Sequence, residues 1–210
     1  MKKLNNILKA TVTNLIVAFI FIVIICVTLK ITIGDELTKA IALINLVSVS
    51  ENTQDSENTD LKIDLEKKKL TKYPTWGNKY GTLYIDSINV KLGLYYGDSL
   101  ATLRKGVGQS VSYFPGEGGS IICMAHDTGG FLKYLYTVNV GDKIRIETDY
   151  GKFTYQIYET KIVKQTETDA VYLQDDEEIL MLYTCYPSNS IGHATHRFIT
   201  YSKLIEGEIY

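Results

Sequence analysis

"EILMLYTC", residues 178–185, and "HRFITYSKLI", residues 196–205, are two segments dominated by apolar, β-branched and aromatic residues. Segments of this composition and length are typical of β-strands. Similar segments, separated by turns that contain Gly and Asp, occur earlier in the chain at residues 82–97, 118–126, 144–149 and 150–164. With about eight short strands and little helix, the sequence predicts a mainly β fold, a small antiparallel or mixed β-barrel.

The same segments carry side chains that are capable of chemistry. Cys185 ends the first segment, Arg197 lies near the start of the second, and His126 ends an earlier apolar strand, "SIICMAH". The end of a strand presents a side chain to solvent on a rigid support. A cysteine nucleophile needs a partner, because a free thiol with a pKa of about 8.5 is only a few per cent thiolate at neutral pH. A histidine can transfer protons, and a guanidinium can stabilise a thiolate or an oxyanion.

Cys185 also has other interpretations. It is compatible with simple packing in an apolar strand, and it could bind zinc together with His193 and His196. The zinc site lacks a fourth ligand and a C-x₂-C partner, so we expect no metal and no cofactor. A disulfide with Cys123 is a further alternative, although so few cysteines are not typical of a disulfide-stabilised secreted domain.

The charge of the chain argues against one class of partner. The formal net charge is -2 and the sequence pI is about 5.9, so general attraction to nucleic acid is not expected. The acidic run "DDEE" at 175–178 lacks the spaced oxygen ligands of a calcium loop, and we interpret it as a solvated loop.

Residues 11–33 predict a transmembrane anchor. The segment "LIVAFIFIVIICVTL" at 15–29 is almost wholly apolar, and about 20 residues at about 1.5 Å each match the ~30 Å hydrocarbon thickness of a bilayer. Because lysines precede the run, the positive-inside rule places residues 1–10 in the cytoplasm and the rest of the chain outside. A cleaved signal peptide with an A-x-A-like site at Ala40 and Ala42 is less favoured, because that site lies far beyond the apolar run.

Residues 34–72 predict an extracytoplasmic stalk that leads to a folded domain at 73–210. The segment "SVSENTQDSENTD" at 48–60 is polar and has few bulky apolar residues, as is typical of a solvated linker. The leucines of "LKIDLEKKKL" at 61–70 lie near helical spacing, and this segment predicts a short helix against the body.

Several of these segments resemble those of sortases, the membrane-anchored cysteine transpeptidases of Gram-positive bacterial surfaces. The resemblance covers residues 81 to 205. It rests on "AH" at 125–126, "FLKYLYTVNVGDKIRIETDYGKFTYQI" at 131–157, "LYTCYP" at 182–187 and "HRFITYSKL" at 196–204. The "TCYP" form and the length of the following loop are most similar to class D. The chain departs from the family pattern at Ala125, where glycine is usual, and at Met181, where threonine is usual.

The resemblance implies an eight-stranded sortase-type β-barrel with short helices and an enzyme that cleaves an LPxTG-like sorting signal between Thr and Gly. By motif, Cys185 would be the nucleophile that forms a thioacyl intermediate, and His126 would protonate the leaving amine. Arg197 would hold the substrate carbonyl or stabilise the oxyanion, and Thr184 would line the substrate pocket. The implied partners are surface proteins with a C-terminal LPxTG-like signal and a peptidoglycan precursor or cross-bridge amine, met at the cell membrane.

Other functions stay open at this point. A membrane-tethered cysteine peptidase would use the same residues with water as the acceptor, and a non-catalytic binding barrel would not need Cys185. Within the family, a pilin-polymerising sortase is the nearest rival. Because we find no Asp-Pro-aromatic lid segment ahead of the barrel, cell-wall attachment is favoured over pilus assembly.

Overall fold

The structure is a computed structural model that describes residues 14–15, 17–25, 61–188 and 194–210 of the chain. Residues 14–15 and 17–25 are helical, and their large apolar side chains are exposed. Within these described parts of the chain, no helix is both long enough and apolar enough to cross a membrane. Most of the predicted anchor and of the predicted stalk lies outside the described residues.

Eight strands close into a barrel. The strands of the described residues are β1 Ile63–Asp64, β2 Lys69–Leu70, β3 Lys79–Ile85, β4 Val90–Tyr96, β5 Val107–Gln109, β6 Ser120–Met124, β7 Lys143–Thr148, β8 Gly151–Lys164, β9 Ile179–Tyr186 and β10 His196–Ile209. The barrel order is β10-β8-β7-β3-β4-β5-β6-β9, antiparallel except for the pairs β4–β5 and β6–β9. The helical segments are short, at Asp86–Ile88, Leu100–Leu103, Leu135–Thr137 and Thr168–Ala170. The predicted mainly β barrel with short helices is confirmed.

The alternation of side chains along β9 decides which of its residues face the barrel core. Successive side chains of a strand point to opposite faces of the sheet. Leu180 and Leu182 lie in the barrel core, whereas Met181 belongs to a second apolar cluster on the outer face. The same alternation turns Thr184 inward and Cys185 outward, which places the cysteine on the outer surface of a rigid wall.

Residues 61–72 belong to the folded body. β1 and β2 pair as an antiparallel hairpin, and the Asp64 carboxylate accepts two backbone N–H groups of the turn, each at 3.1 Å. Leu61 and Leu70 are buried in the core. The helix predicted for this segment is wrong. The turn at Asp64 reverses the chain into a hairpin, and Leu61 and Leu70 are buried from this hairpin. We therefore place the start of the folded body at Leu61 rather than at residue 73.

A buried carboxylate holds the end of the barrel at which β6 and β9 begin. Glu178 accepts the N–H groups of Gly116 and Gly118, each at 3.0 Å, and the Tyr155 hydroxyl at 2.7 Å. Burial raises the pKa of Glu178, although these donors stabilise its ionised form. The solvated loop predicted for 175–178 is therefore wrong at Glu178. This residue directly precedes β9, and its side chain is buried at the end of the barrel.

Candidate active site

Cys185 and Arg197 face each other on neighbouring antiparallel strands. Cys185 lies near the end of β9, Arg197 near the start of β10, and the register pairs them directly. Directly opposed residues place their side chains on the same face, with Cβ atoms about 4.5–5.5 Å apart. The guanidinium Nη1 donates to the carbonyls of His196 at 2.9 Å and Ala194 at 3.3 Å. These bonds hold the Arg197 side chain near the start of β10, on the same face as the thiol.

His126 reaches the same surface from β6, the parallel neighbour of β9. The register runs up to Met124, which lies opposite Tyr183. The Ala125 N–H continues the pairing by donating to the Tyr183 carbonyl at 3.3 Å. His126 is the next residue, so continuation of this register brings it level with Cys185. The three residues that the sequence predicts as catalytic thus lie at the same end of adjacent strands.

The loop after β6 folds back on the histidine. The Leu132 N–H donates to the His126 carbonyl at 2.9 Å, and the Phe131 N–H donates to the Thr128 carbonyl at 3.0 Å. The rings of Phe131 and His126 meet edge to face, with centroids 5.8 Å apart. These contacts hold the half-buried imidazole of His126 at the surface. They also keep the loop at residues 127–132 close to the histidine.

Thr184 connects the strand of the cysteine to the residue before the histidine. Its hydroxyl donates to the Ala125 carbonyl at 2.8 Å, and the residue is only 2% exposed. Thr184, which the family resemblance predicts to line the substrate pocket, is buried in the barrel wall. The reason is the strand alternation, because a neighbour of an outward-facing cysteine must face inward.

Three effects act on the Cys185 thiol. Burial is the largest and raises the pKa of Cys185, the positive charge of Arg197 lowers it, and the negative charge of Asp127 raises it. The net pKa of Cys185 is raised, and of these three effects only the charge of Arg197 opposes the rise. Asp127 directly follows His126 in the sequence, a position that is also compatible with a simple capped turn.

A second apolar cluster lies on the outer face of the strands that carry Cys185 and Arg197, and we call it the outer cluster. Its buried members are Ile122, Ile179, Met181, Ile199 and Tyr201, and its partly buried members are Met124, Val163, Ala170, Val171 and Tyr183. Tyr183 lies two residues before Cys185 on the same face, and its hydroxyl contacts the Met124 Sδ at 3.1 Å. The Tyr201 hydroxyl donates to the Ala170 carbonyl at 2.7 Å, which holds the Thr168–Ala170 turn against the sheet.

Cys123 and Cys185 are both free thiols. Cys123 is fully buried in the barrel core, whereas Cys185 is half-buried on the outer face. Because the two side chains lie on opposite sides of the barrel wall, a disulfide between them would require the backbone to move. Burial raises the pKa of Cys123, so this thiol is inert compared with Cys185.

Of the two histidines in "HATH", only His196 is among the described residues. His193 lies outside the described residues, while His196 begins β10 and one of its ring nitrogens lies 2.9 Å from the Thr195 hydroxyl. In the part of the chain that the structure describes, no three His, Cys, Asp or Glu side chains are grouped as metal ligands.

A cavity of about 360 Å³ lies at the other end of the barrel. Its lining includes Tyr73 and, from the segment that leads into β6, Phe114 and Glu117. Because β6 begins at this end and His126 follows its far end, the length of the strand separates the cavity from the site around Cys185.

The sequence and the fold of this chain are similar to those of known proteins. A family model described as "Sortase domain" matches residues 83–205. Sortase D of Bacillus subtilis (strain 168) is 36% identical over 157 residues, which cover 74% of this chain and 79% of that protein. The solved catalytic domain of B. anthracis SrtD is 30% identical, with a TM-score of 0.56 and coverage of 67% of this chain and 96% of that one. Listeria monocytogenes sortase A, at 24% identity and a TM-score of 0.56 over 63% of this chain and 90% of that one, is similar in fold.

The chain therefore belongs to the sortase family. The matched residues include most of the barrel and all of Thr184, Cys185 and Arg197. Sortases are generally cysteine transpeptidases, and an outward-facing thiol beside a histidine and an arginine is the arrangement that such covalent chemistry needs.

Replacing Arg197 by glutamine is expected to raise the pKa of Cys185 further. The guanidinium is the group that opposes the effect of burial, so its loss leaves less thiolate at any given pH. The rate of Cys185 alkylation by iodoacetamide, followed by peptide mass spectrometry against pH, should have its midpoint above that of a small-molecule thiol and move higher still in Arg197→Gln. Cys123 should not react in the folded protein. An unchanged or lower midpoint in the variant would contradict this account of the thiol.

Proposed function

We propose that this chain is a transpeptidase that cleaves an LPxTG-like sorting signal between Thr and Gly and joins the surface protein to a cell-wall amine. The observation that carries the proposal is the direct pairing of Cys185 with Arg197, with His126 following the adjacent strand β6. The identity of 36% to a Sortase D supports the same class of reaction.

In the first half-reaction the Cys185 thiolate attacks the carbonyl carbon of the signal threonine. The carbonyl oxygen becomes an oxyanion, and Arg197 stabilises its charge with N–H groups. The C–N bond to glycine then breaks, and His126 in its imidazolium form gives a proton to the departing amine. The products are a thioester on Cys185 and a free peptide that begins with glycine.

In the second half-reaction an incoming amine attacks the thioester carbonyl. A new C–N bond forms, His126 accepts the proton that the amine loses, and the C–S bond breaks to regenerate the thiolate. Water in place of the amine would give hydrolysis. The balance between the two acceptors therefore decides whether the enzyme joins proteins or only cuts them.

Thr184 serves this chemistry as a positioning residue. Its hydrogen bond to the Ala125 carbonyl connects the residue before Cys185 to the residue before His126. A shift of about 1 Å between reacting groups can cost about a hundredfold in rate, so one buried bond between the two supporting segments has a large effect. The partly buried members of the outer cluster on the strands around Cys185, Met124, Val163 and Tyr183, would contact the leucine and proline side chains of the signal.

The described segment ahead of the barrel supports cell-wall attachment over pilin polymerisation. Leu70 donates its N–H to Glu117 at 2.9 Å, and the Ile63 side chain lies next to Gly116. These contacts are at the end of the barrel where β6 begins, away from Cys185. Within the described residues 61–78, the hairpin therefore does not cover the Cys185 thiol.

The predicted anchor at 11–33 would hold the enzyme at the cell membrane with residues 61–210 outside. Its substrates would then be surface proteins that carry an LPxTG-like signal and a peptidoglycan precursor or cross-bridge amine. Concentrating enzyme and substrate at one membrane would compensate for the small thiolate fraction that a raised pKa of Cys185 implies.

The test is product analysis with the full-length chain and a quenched LPxTG-like peptide, with and without a peptide that has a free N-terminal amine. We expect a ligated product that appears only with the amine, and no cleavage of a scrambled signal. Free acid alone, at every amine concentration, would make the protein a hydrolase. No cleavage across a panel of signal variants would favour the non-catalytic binding barrel.

A further inference from the structure

The loop after β6 places an acidic side chain beside the candidate catalytic thiol. Asp127 directly follows His126 and is half-buried. Continuation of the β6–β9 register brings His126 level with Cys185, so Asp127 lies one residue beyond this level. From there its negative charge acts on the thiol. Among the residues that the structure describes, the Asp127 carboxylate has no hydrogen-bond or ion-pair partner, so its charge is not neutralised by another described side chain.

This charge works against the first half-reaction. An anion near a thiol disfavours the thiolate, which is the nucleophile in the attack on the signal. The effect disappears once Cys185 is acylated, because a thioester is neutral. While the acceptor binds, the acylated cysteine carries no charge, so at that stage Asp127 acts only on the incoming acceptor. Its charge disfavours the thiolate again only when the C–S bond breaks.

The acceptor of the second half-reaction arrives as a cation. An aliphatic primary amine has a pKa well above neutrality, as the lysine side chain illustrates with a value of about 10.4. Arg197 on the other side of Cys185 repels a cation, and so does His126 whenever its imidazole is protonated. An ammonium that approaches the thioester next to these groups needs a nearby negative charge, and Asp127 is the acidic side chain that follows the histidine.

We propose that Asp127 is a specificity-determining residue that recruits the ammonium form of the amine acceptor and so favours transfer over hydrolysis. The inference rests on the proposed transpeptidase function. Asp127 holds the cation beside the thioester until the amine loses a proton to solvent. The neutral amine then attacks as described, and His126 accepts the second proton. Asp127 itself forms no covalent bond in this step.

The test is Asp127→Asn in the full-length chain, compared with Asp176→Asn, which removes the same charge from an exposed loop residue. In Asp127→Asn, the concentration of a free-amine peptide that gives half-maximal ligation should rise roughly five- to tenfold, the effect of one partly screened charge pair. Consumption of the signal peptide without amine should become faster, because the thiolate is favoured. Capture of the thioester by hydroxylamine, which is uncharged at neutral pH, should not weaken.

Ionic strength supplies a readout that a merely structural role would not move. Added salt should weaken amine capture by the wild type more than by Asp127→Asn, because the variant has lost the screened attraction. The inference about Asp127 would be overturned if the wild type and Asp127→Asn depended equally on the amine concentration. It would also be overturned if Asp127→Asn lost acylation and ligation to the same extent. Neither outcome would affect the proposed transpeptidase function. If the wild type gave no ligated product, both the proposed transpeptidase function and the inference about Asp127 would be overturned.

Discussion

Replacing Cys185 by alanine is expected to abolish cleavage of the sorting-signal peptide while the barrel stays folded. The thiol is the atom that forms the covalent intermediate, and loss of a catalytic nucleophile typically reduces the rate by more than about 10⁴-fold. Cys185 lies half-buried on the outer face rather than in the core, so the truncation leaves no internal cavity. The rate of quenched-peptide cleavage and the thermal unfolding midpoint together measure this prediction.

Cys123→Ala is the matched control, since it removes the other described thiol. Cys123 lies in the barrel core, so this variant should lose on the order of 1 kcal/mol of stability and keep most of its activity. The reverse pattern, in which Cys123→Ala is inactive and Cys185→Ala still cleaves the signal, would remove the chemical basis of the account.

Replacing Glu178 by alanine is expected to give the largest loss of stability. Its carboxylate accepts two glycine N–H groups and the buried Tyr155 hydroxyl, and truncation leaves these donors without their acceptor. Such a loss costs about 2–4 kcal/mol of unfolding free energy. Urea denaturation followed by circular dichroism measures it. Glu177→Ala, at an exposed neighbour whose ion pair with Lys203 spans 3.0 Å, should change stability by less than about 1 kcal/mol.

The pH dependence of the stability that Glu178 contributes follows from the direction of its pKa shift. Burial raises the pKa of Glu178 in the folded protein, so the folded state binds the proton more tightly than the unfolded state. The stabilising contribution of protonated Glu178 is fully present below the unfolded pKa and is lost as pH rises through the folded pKa. The stability of the wild type relative to Glu178→Gln should therefore increase as pH falls from 7 toward 4. A relative stability that increases with pH would show that the carboxylate has a lowered pKa instead.

The strands and the catalytic candidates could be predicted from sequence because both depend on local patterns. The apolar runs in "EILMLYTC" and "HRFITYSKLI" predict buried strands, because β9 and β10 contribute side chains to the barrel core on one face and to the outer cluster on the other. Cys185, His126 and Arg197 each lie at a strand end, and the closure of the barrel brings those ends together. The family resemblance assigns a role to each of these three residues, which their spacing in the sequence does not do.

Features that depend on tertiary contacts were missed or misassigned. The leucines of residues 61–70 have near-helical spacing, yet a hairpin forms because Leu61 and Leu70 gain burial against the barrel. Thr184 looks like a pocket residue beside the nucleophile, but alternation turns it toward Ala125. Glu178 belongs to an acidic run that suggests solvent exposure, and only the fold supplies the three donors that make its burial tolerable.

If Cys185 is the nucleophile, its thioacyl intermediate with the signal can be trapped. Full-length protein would be mixed with an LPxTG-like peptide, quenched with acid within the first turnover, and analysed by mass spectrometry after proteolysis. The account predicts an adduct of the signal up to its threonine on the peptide that contains Cys185, and loss of this adduct when a free amine is added before the quench. Cleavage of the signal without any adduct on Cys185, or an adduct that the amine does not consume, would contradict it.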